Sequence, residues 1–401
     1  KDTTWRMETP IGHTGDVKNR EYSTITDEYG CLAIELHHKL PNEAVWIREQ
    51  KLQDFSSVSK DEILEKIRMT EKEQARHGRA DLLERGWLIT GRKDEEESTR
   101  FTVLQFNILA EGLSFGPKAK PPFKTDTPPS NFNGGFGANC YGGFDAVKHP
   151  EICFDFQFRK YRLLQAILEA NADIIGLQEI DRFHGFFFPV LQKFGYEGIF
   201  APKTNSAAIQ LGYYSDGCAL FFRPDVFTLK GQRNYYYTAG NQVCIIARLE
   251  HNITKQHITV AVTHLKAKQS ETMEEIRRKQ VDELINELLN TTPEKNPLEP
   301  RIVLGDFNSD PVNESIKKMR GFLRSAYHLD DDKIVTTWKT RGTKSVRRII
   351  DYIFHSSSLE VKGILSIPVE EIEEEKLPSL RYPSDHILLS AQFELPPKES
   401  Y

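Results

Sequence analysis

The stretch Tyr382-Pro383-Ser384-Asp385-His386 is followed directly by the apolar run Ile-Leu-Leu-Ser-Ala-Gln-Phe. The run predicts a strand over 387–395, so a carboxylate and an imidazole stand side by side where this strand begins. On its own the Ser-Asp-His string is a weak signal, because such tripeptides arise by chance. Its meaning depends on what the other predicted strands carry at their ends.

Polar residues also mark five predicted strands upstream, at their ends or inside them. In chain order they are Gln105-Phe106-Asn107, Leu177-Gln178-Glu179, Thr263-His264-Leu265, Gly305-Asp306-Phe307-Asn308 and Ile350-Asp351-Tyr352. Taken singly, each is more often a strand-end cap or a surface polar group. Taken together and in this order, the six groups are typical of a metal-dependent phosphoesterase.

The apolar periodicity predicts many strands and a few helices in a main domain over 100–397. Strands are predicted over 101–109, 172–178, 217–222, 242–249, 258–265, 301–304, 348–355 and 387–395, and helices over 156–169 and 271–290. This pattern favours an α/β fold in which two packed sheets form a sandwich flanked by helices.

Two segments differ in character from the rest of the chain. Residues 1–99 are predicted to form a partly helical N-terminal extension that packs on the main domain, with a charged helix from about Ser59 to about Arg85. A Gly/Pro-rich insertion at about 112–150 begins just after the Asn107 strand, and its first 32 residues hold seven Gly and five Pro. Such long loops are often lids or disordered segments, and this one is expected near the site.

Composition limits the partners and the compartment. The chain has 401 residues and a net charge of −5, which argues against a protein that mainly grips nucleic acid through phosphates. No apolar run approaches the length of about 18 residues that a membrane helix needs. The five cysteines show no CxxC spacing, so we expect no zinc site and an intracellular, reducing compartment. That compartment is the cytoplasm, or the mitochondrion if a targeting segment has been removed.

Phosphate-ester hydrolysis at neutral pH needs neutralised phosphate charge, an activated water and a stabilised leaving oxygen. Mg²⁺ prefers oxygen ligands and takes only one or two from the protein. Glu179 fits such a ligand, and Asn107 offers a neutral oxygen that completes the site. Asp306 and Asn308 would point to the same face of an extended backbone, where a carboxylate could activate water and an amide could hold a phosphoryl oxygen.

Two histidines complete the predicted chemistry. His264 ends a strand, from which it can donate to the phosphate as the transition state gains charge. His386 is expected to be oriented by a carboxylate, which either Asp351 or Asp385 can supply.

Over roughly residues 101–395 this set of motifs resembles the endonuclease/exonuclease/phosphatase superfamily. The resemblance implies a DNase I-like β-sandwich with Mg²⁺ on the glutamate, Mn²⁺ as a substitute, and the site at one end of the sandwich. It implies that Asp306 positions or activates the water, and that His386, oriented by Asp351, acts on the phosphate. It also implies that Asn308 and His264 bind phosphoryl oxygens.

Further strings are similar to the nocturnin-like branch of this superfamily. They are His264-Leu-Lys266-Ala-Lys268, Thr336-Thr-Trp338-Lys339, Asp216-Gly-Cys-Ala-Leu-Phe-Phe222 and the run from Leu377 to His386. This resemblance implies removal of the 2′-phosphate of NADP(H) to give NAD(H), with substrate-binding cations at Lys203, Lys266, Lys268 and Arg341. Lys268 stands where the branch usually has Arg, so the charge is kept but the planar bidentate fork is lost.

Two other functions stay open. A 3′-exoribonuclease or poly(A) deadenylase would act on RNA and would need a basic groove with stacking aromatics, which the insertion's Phe and Tyr residues could supply. A catalytically silent binding module of the same fold is disfavoured, because the polar set is complete. The oligomeric state is left open.

Overall fold

A computed structural model of the protein describes residues 22–26, 32–36, 46–49, 52–89, 99–114, 147–291, 299–328, 334–341 and 344–396. Two mixed β-sheets pack face to face and helices cover their outer faces, which confirms the predicted sandwich. Residues 115–146, which hold most of the Gly/Pro-rich insertion, lie outside the described part. Among the described residues, no helix combines the length and apolar character needed to cross a membrane.

The larger sheet has seven strands, one of which comes from the segment predicted as an extension. They are β4 (Trp87–Ile89), β5 (Arg100–Asn107), β6 (Ile174–Ile180), β7 (Glu197–Pro202), β8 (Gly217–Phe222), β17 (Glu360–Leu365) and β18 (Leu389–Glu394). Their order across the sheet is β4-β17-β18-β5-β6-β8-β7, and β5 and β6 are the parallel pair.

The smaller sheet of the sandwich has six strands. They are β9 (Phe227–Tyr236), β10 (Val243–His251), β11 (His257–His264), β12 (Arg301–Asp306), β13 (Arg324–Ser325) and β16 (Asp351–His355). Their order is β13-β16-β12-β11-β10-β9, and β11 and β12 are the parallel pair.

The remaining strands form two small sheets outside the sandwich. They are β1 (Tyr22–Thr26), β2 (Leu32–Leu36) and β3 (Trp46–Glu49) in one, and β14 (Thr337–Arg341) and β15 (Lys344–Arg348) in the other. The helices are α1 (Lys60–Gln74), α2 (Pro150–Cys153), α3 (Phe156–Ala170), α4 (Phe188–Lys193), α5 (Ala207–Gln210), α6 (Glu271–Thr291), α7 (Glu314–Phe322) and α8 (Val369–Glu375).

Strand alternation builds the layers of the fold. Val103 on β5 and Ile302 on β12 point between the sheets and are fully buried there. Their neighbours Leu104 and Val303 point outward, where Leu104 packs in the same core as α3 and Val303 in the same core as α6 and α7. The result is a four-layer α/β/β/α sandwich, and the strand ends lie at the edges of its layers.

The N-terminal helix is shorter than predicted. Ser59 caps α1 through a capping box with Glu62, but the helix ends at Gln74, so its expected extension to about Arg85 is wrong. Gly78 has φ +157°, and Arg85 donates instead to the carbonyl oxygens of Ser366 and Leu388, both at 2.6 Å. These tertiary contacts hold the segment after α1 in a non-helical path along the sandwich.

Candidate active site

The predicted polar groups meet at one end of the sandwich. Asn107 is the last residue of β5, His264 the last of β11 and Asp306 the last of β12. Strand register places His264 opposite Asp306, and Asp306 opposite Asp351 at the start of β16. The site therefore lies at the carboxyl ends of the two parallel strand pairs, β5–β6 and β11–β12.

Glu179 reaches this end through an irregularity in β6. The register with β8 shifts between Gln178 and Ile180, and Glu179 adopts φ 55°. Such a bulge re-aims a side chain. The Glu179 carboxylate accepts hydrogen bonds from Asn107 Nδ2 at 3.2 Å and from the Ala110 amide at 3.3 Å.

Asn107 turns its amide nitrogen, not its oxygen, toward the carboxylates. Nδ2 donates to Glu179 and, at 3.0 Å, to Asp306 Oδ2, while Oδ1 accepts from the Leu109 amide at 3.0 Å. To bind a metal ion through Oδ1, as predicted, the side-chain amide of Asn107 would have to exchange the positions of Oδ1 and Nδ2. In this conformation Asn107 links two carboxylates from the two sheets.

Asp306 and Asn308 come together by a route that differs from the one expected. Asn308 has φ 52°, so the assumption of an extended backbone is wrong. The backbone N–H of Asn308 instead donates to Asp306 Oδ1 at 2.9 Å. This hydrogen bond closes a tight turn after β12. The turn places Asn308 Nδ2 3.0 Å from His264 Nε2, and Asn tolerates the left-handed region better than most residues.

Of the two carboxylates considered for His386, Asp351 holds the imidazole. His386 Nδ1 lies 2.9 Å from Asp351 Oδ2. Asp385 is close to the other ring nitrogen instead, with its Oδ1 3.9 Å from Nε2, and Asp306 Oδ2 lies 3.8 Å from Nε2. The imidazole is therefore surrounded by three carboxylates.

These charges move the pKa values in the site. Burial lowers the pKa of His386, but the carboxylates of Asp351, Asp385 and Asp306 outweigh it and raise the pKa to about 9. Burial, followed by repulsion from Asp351, raises the pKa of Asp306 to about 7. At neutral pH the imidazole of His386 is cationic, and Asp306 titrates within the range of a general base.

His264 lies in a different electrostatic environment. Burial, then the positive charges of Lys203 and His386, hold the pKa of His264 well below its usual range. Lys203 Nζ lies 3.1 Å from His264 Nδ1 and forms a 2.7 Å ion pair with Asp216. Lys203 thus lies in the site, where it contacts the side chains of His264 and Asp216.

Two further predicted cations lie on the loop after β11. Lys266 is half-buried, and burial followed by the charges of Lys203 and Lys268 lowers its pKa. Lys268 is exposed, with φ 77°. Arg277 on α6 anchors this loop by donating to the carbonyl oxygens of both lysines, at 2.9 and 2.8 Å. The side chain of the fourth predicted cation, Arg341, lies outside the described part.

Buried polar residues that were not predicted support the site. Gln105 Nε2 donates to Asp351 Oδ1 at 3.1 Å. Thr336 Oγ1 accepts from the Ile350 and Asp351 amides, at 2.9 and 3.1 Å, and Thr337 donates to the Asp385 carbonyl at 2.7 Å. The Thr-Thr string and Gln105 stood in the quoted motifs, but their roles depend on tertiary contacts that sequence spacing does not show.

The donor set suits a hard divalent cation. One nitrogen or oxygen each from Glu179, His264 and Asp306 lie within 4.8 Å of one another, and Asp306, Asp351 and His386 form a second such group. The oxygen donors are those that Mg²⁺ and Mn²⁺ prefer. A cation there would offset the repulsion between the buried Asp306 and Asp351, so the residues present fit a metal centre.

Comparison with known proteins agrees with this geometry. Human nocturnin is 34% identical over 307 residues, which cover 73% of this chain and 64% of the human protein. The 3′-5′-exoribonuclease subunit Ccr4 of the CCR4-Not complex from Debaryomyces hansenii is 26% identical over 307 residues, covering 61% of this chain and 36% of that protein. The chain therefore spans less than two thirds of the length of either relative.

A solved structure and a family profile complete the comparison. The human nocturnin catalytic domain with a bound sulfate anion superposes with a TM-score of 0.58 and 30% sequence identity, covering 78% of this chain and 97% of that domain. The profile of the Endonuclease/Exonuclease/phosphatase family matches residues 137–386, which include the Glu179, His264, Asp306, Asp351 and His386 positions. The chain belongs to the endonuclease/exonuclease/phosphatase family.

Proposed function

We propose that this enzyme is a divalent-metal-dependent phosphatase that removes the 2′-phosphate of NADP(H) to give NAD(H). The observation that carries the proposal is the compact group of cations beside the carboxylates. Lys203 Nζ lies 3.1 Å from His264 Nδ1, and Lys266 and Lys268 lie on the loop that directly follows His264, on a chain whose net charge is −5. Such a group suits a small ligand whose phosphates fall within one pocket, whereas a polynucleotide spreads its contacts along a groove.

The metal in this proposal is Mg²⁺, with Mn²⁺ as a substitute. Glu179 would hold it, together with Asn107 once its amide is turned over. When bound, the ion would neutralise phosphate charge and stabilise the leaving oxygen.

The other catalytic roles would fall to side chains according to their charge. Asp306, whose pKa is raised to about 7, would orient the attacking water and accept its proton. Cationic His386, fixed by Asp351, would stabilise charge that develops on the phosphoryl group. Asn308 Nδ2 and His264 Nε2, which lie 3.0 Å apart, would hold phosphoryl oxygens. The carboxylate of Asp385 would help to keep His386 cationic.

A 3′-exoribonuclease that shortens poly(A) is the second candidate, because the Ccr4 relative is named as a 3′-5′-exoribonuclease subunit. The aromatic residues of the insertion that would stack RNA bases lie outside the described part. A silent binding module is less compatible with the site, since carboxylates, amides and imidazoles all converge there.

A side-by-side assay separates these functions. Purified protein is given NADPH or labelled poly(A) RNA in the same Mg²⁺ buffer at several salt concentrations. We expect phosphate release from NADPH and little shortening of the RNA. Efficient trimming of poly(A) with NADPH left intact would replace the phosphatase proposal with the exoribonuclease.

A further inference from the structure

A buried chain of polar contacts leads to His264 from outside the carboxylate cluster. Ser206 Oγ donates to Asp216 Oδ1 at 2.5 Å, and Lys203 Nζ donates to Asp216 Oδ2 at 2.7 Å. Lys203 Nζ also lies 3.1 Å from His264 Nδ1. The side chains of all four residues are buried, so water does not compete for these contacts.

The charge of Lys203 limits what this contact can be. Lys203 Nζ forms an ion pair of 2.7 Å with Asp216 Oδ2, and the side chains of both residues are buried. Lys203 is therefore an ammonium group, which has N–H donors and no acceptor. His264 Nδ1 must then offer its lone pair, and a neutral imidazole must carry its proton on Nε2.

A competing contact acts on the other ring nitrogen. Asn308 Nδ2 lies 3.0 Å from His264 Nε2 and also donates to the Leu265 carbonyl at 3.2 Å. If that amide donated to Nε2, the proton would sit on Nδ1 and face the ammonium of Lys203. A charge-assisted hydrogen bond is roughly twice as strong as a neutral one, and an amide can turn over whereas an ammonium cannot become an acceptor. The Lys203 contact therefore decides the tautomer.

A proton on His264 Nε2 would face the site. Asp306 Oδ2 lies 3.5 Å from His264 Nε2, and the Asn308 side chain borders the same space. An N–H at this position attracts a phosphoryl oxygen, whereas a lone pair would repel it.

We propose that Lys203, held by Asp216, is a positioning residue that fixes His264 in the Nε2–H tautomer, so that the imidazole presents a donor to the substrate's phosphoryl oxygen. The inference rests on the proposed function at one point, which is the identification of the acceptor as a phosphoryl oxygen of the substrate. It assigns Lys203 a role through His264, in addition to the positive charge that Lys203 contributes to the cation group.

The tautomer itself can be measured without substrate or metal. The 401-residue chain, labelled with ¹⁵N-histidine, is studied by long-range ¹H–¹⁵N correlation, and a His264→Gln variant identifies the His264 signals. Nε2 couples to both carbon-bound ring protons, so it is recognised by its pattern. We expect a protonated-type ¹⁵N shift on Nε2 and a lone-pair shift on Nδ1; the reverse assignment would overturn the proposal.

Variants connect the tautomer to Lys203. Lys203→Met removes the donor but leaves Asp216 buried without its cation, so the double variant Lys203→Met/Asp216→Asn, which removes both charges, is measured as well. We expect the Nε2–H population to fall and kcat to drop by about 10- to 100-fold, as for a lost transition-state donor, with KM changed by less than about twofold. The exposed Lys268→Met serves as the control and should keep the wild-type tautomer.

Two results would contradict the role of Lys203. One is an unchanged His264 tautomer in the folded double variant. The other is a raised KM with unchanged kcat, which would make Lys203 a substrate ligand. If the enzyme proves to act on RNA and not on NADPH, the proposed function fails while the measured tautomer and its dependence on Lys203 still stand.

Discussion

The Asp351 carboxylate bridges His386 and Gln105, with Oδ2 2.9 Å from His386 Nδ1 and Oδ1 3.1 Å from Gln105 Nε2. All three side chains are buried. Two directional contacts leave Asp351 little freedom, and they aim His386 Nε2 toward Asp306. A buried cationic imidazole is stable here because its counter-charge is fixed in place.

The first prediction concerns pH and stability. The pKa of His386 is raised to about 9 from its usual 6.5, so its stabilising effect is fully present below about pH 6.5 and is lost as the pH rises toward 9. We expect the free energy of unfolding of the metal-free protein to fall by on the order of 1 kcal/mol between about pH 7.5 and 8.5. In Asp351→Asn this slope should flatten. Urea unfolding at several pH values measures it, and an equal slope in both proteins would argue against the pair.

The second prediction concerns the metal ligand. Glu179→Ala should lower kcat/KM by at least about 100-fold and weaken Mn²⁺ binding, because the metal and its positioned water supply much of the catalysis. The matched control is Glu197→Ala, which removes an exposed carboxylate on β7. Calorimetric titration and initial rates check both effects. Wild-type rates in Glu179→Ala, or in excess chelator, would refute the assignment.

The third prediction separates activity from stability at Asp306. Burial and repulsion from Asp351 raise the pKa of this carboxyl, so an amide of the same shape should relieve strain between the two groups. Asp306→Asn should lose at least about 100-fold in kcat while its Tm is equal to or higher than that of the wild type. Thermal melts and rates are measured on the same preparation. A Tm lowered by many degrees would show that Asp306 is mainly structural.

The fourth prediction concerns Lys268. Its side chain is exposed on a loop anchored by Arg277, so substitution should not disturb the fold. Lys268→Ala should raise KM by several-fold, and Lys268→Arg should lower KM below that of the wild type by restoring a bidentate fork. Lys279→Ala, an exposed lysine on α6, is the control and should leave KM unchanged. Equal KM values in all four proteins would remove Lys268 from the binding site.

The sandwich and the convergence of its strand ends could be predicted because apolar alternation marks the inner strands. Strands β8, β10 and β11 are almost wholly buried, and their sequences are correspondingly apolar. Strand β9 was missed because it lies at a sheet edge, where several of its side chains are exposed and its sequence is polar. The predicted strand over 348–355 is broken between β15 and β16, because the Ile350 amide donates to Thr336 and not to a neighbouring strand.

Within the site, residue types were easier to predict than contacts. His386 and Asp351 lie 35 positions apart, and the residue types alone left both Asp351 and Asp385 eligible. The family resemblance pointed to Asp351, and the register of β16 with β12 explains how Asp351 comes to lie at the site. The left-handed backbone of Asn308 carries no sequence signal beyond the tolerance of Asn for that region. The ion pair of Lys203 with Asp216 likewise depends on β7 lying beside β8.

³¹P NMR of NADPH during turnover shows whether the site removes one particular phosphate from a compact dinucleotide. In Mg²⁺ buffer we expect the 2′-phosphate signal to disappear, inorganic phosphate to grow in equal amount, and the two pyrophosphate signals to persist. Asp306→Asn should leave all the signals unchanged. Loss of the pyrophosphate signals, or an unchanged NADPH spectrum under conditions where the same protein shortens poly(A) RNA, would contradict the proposed function.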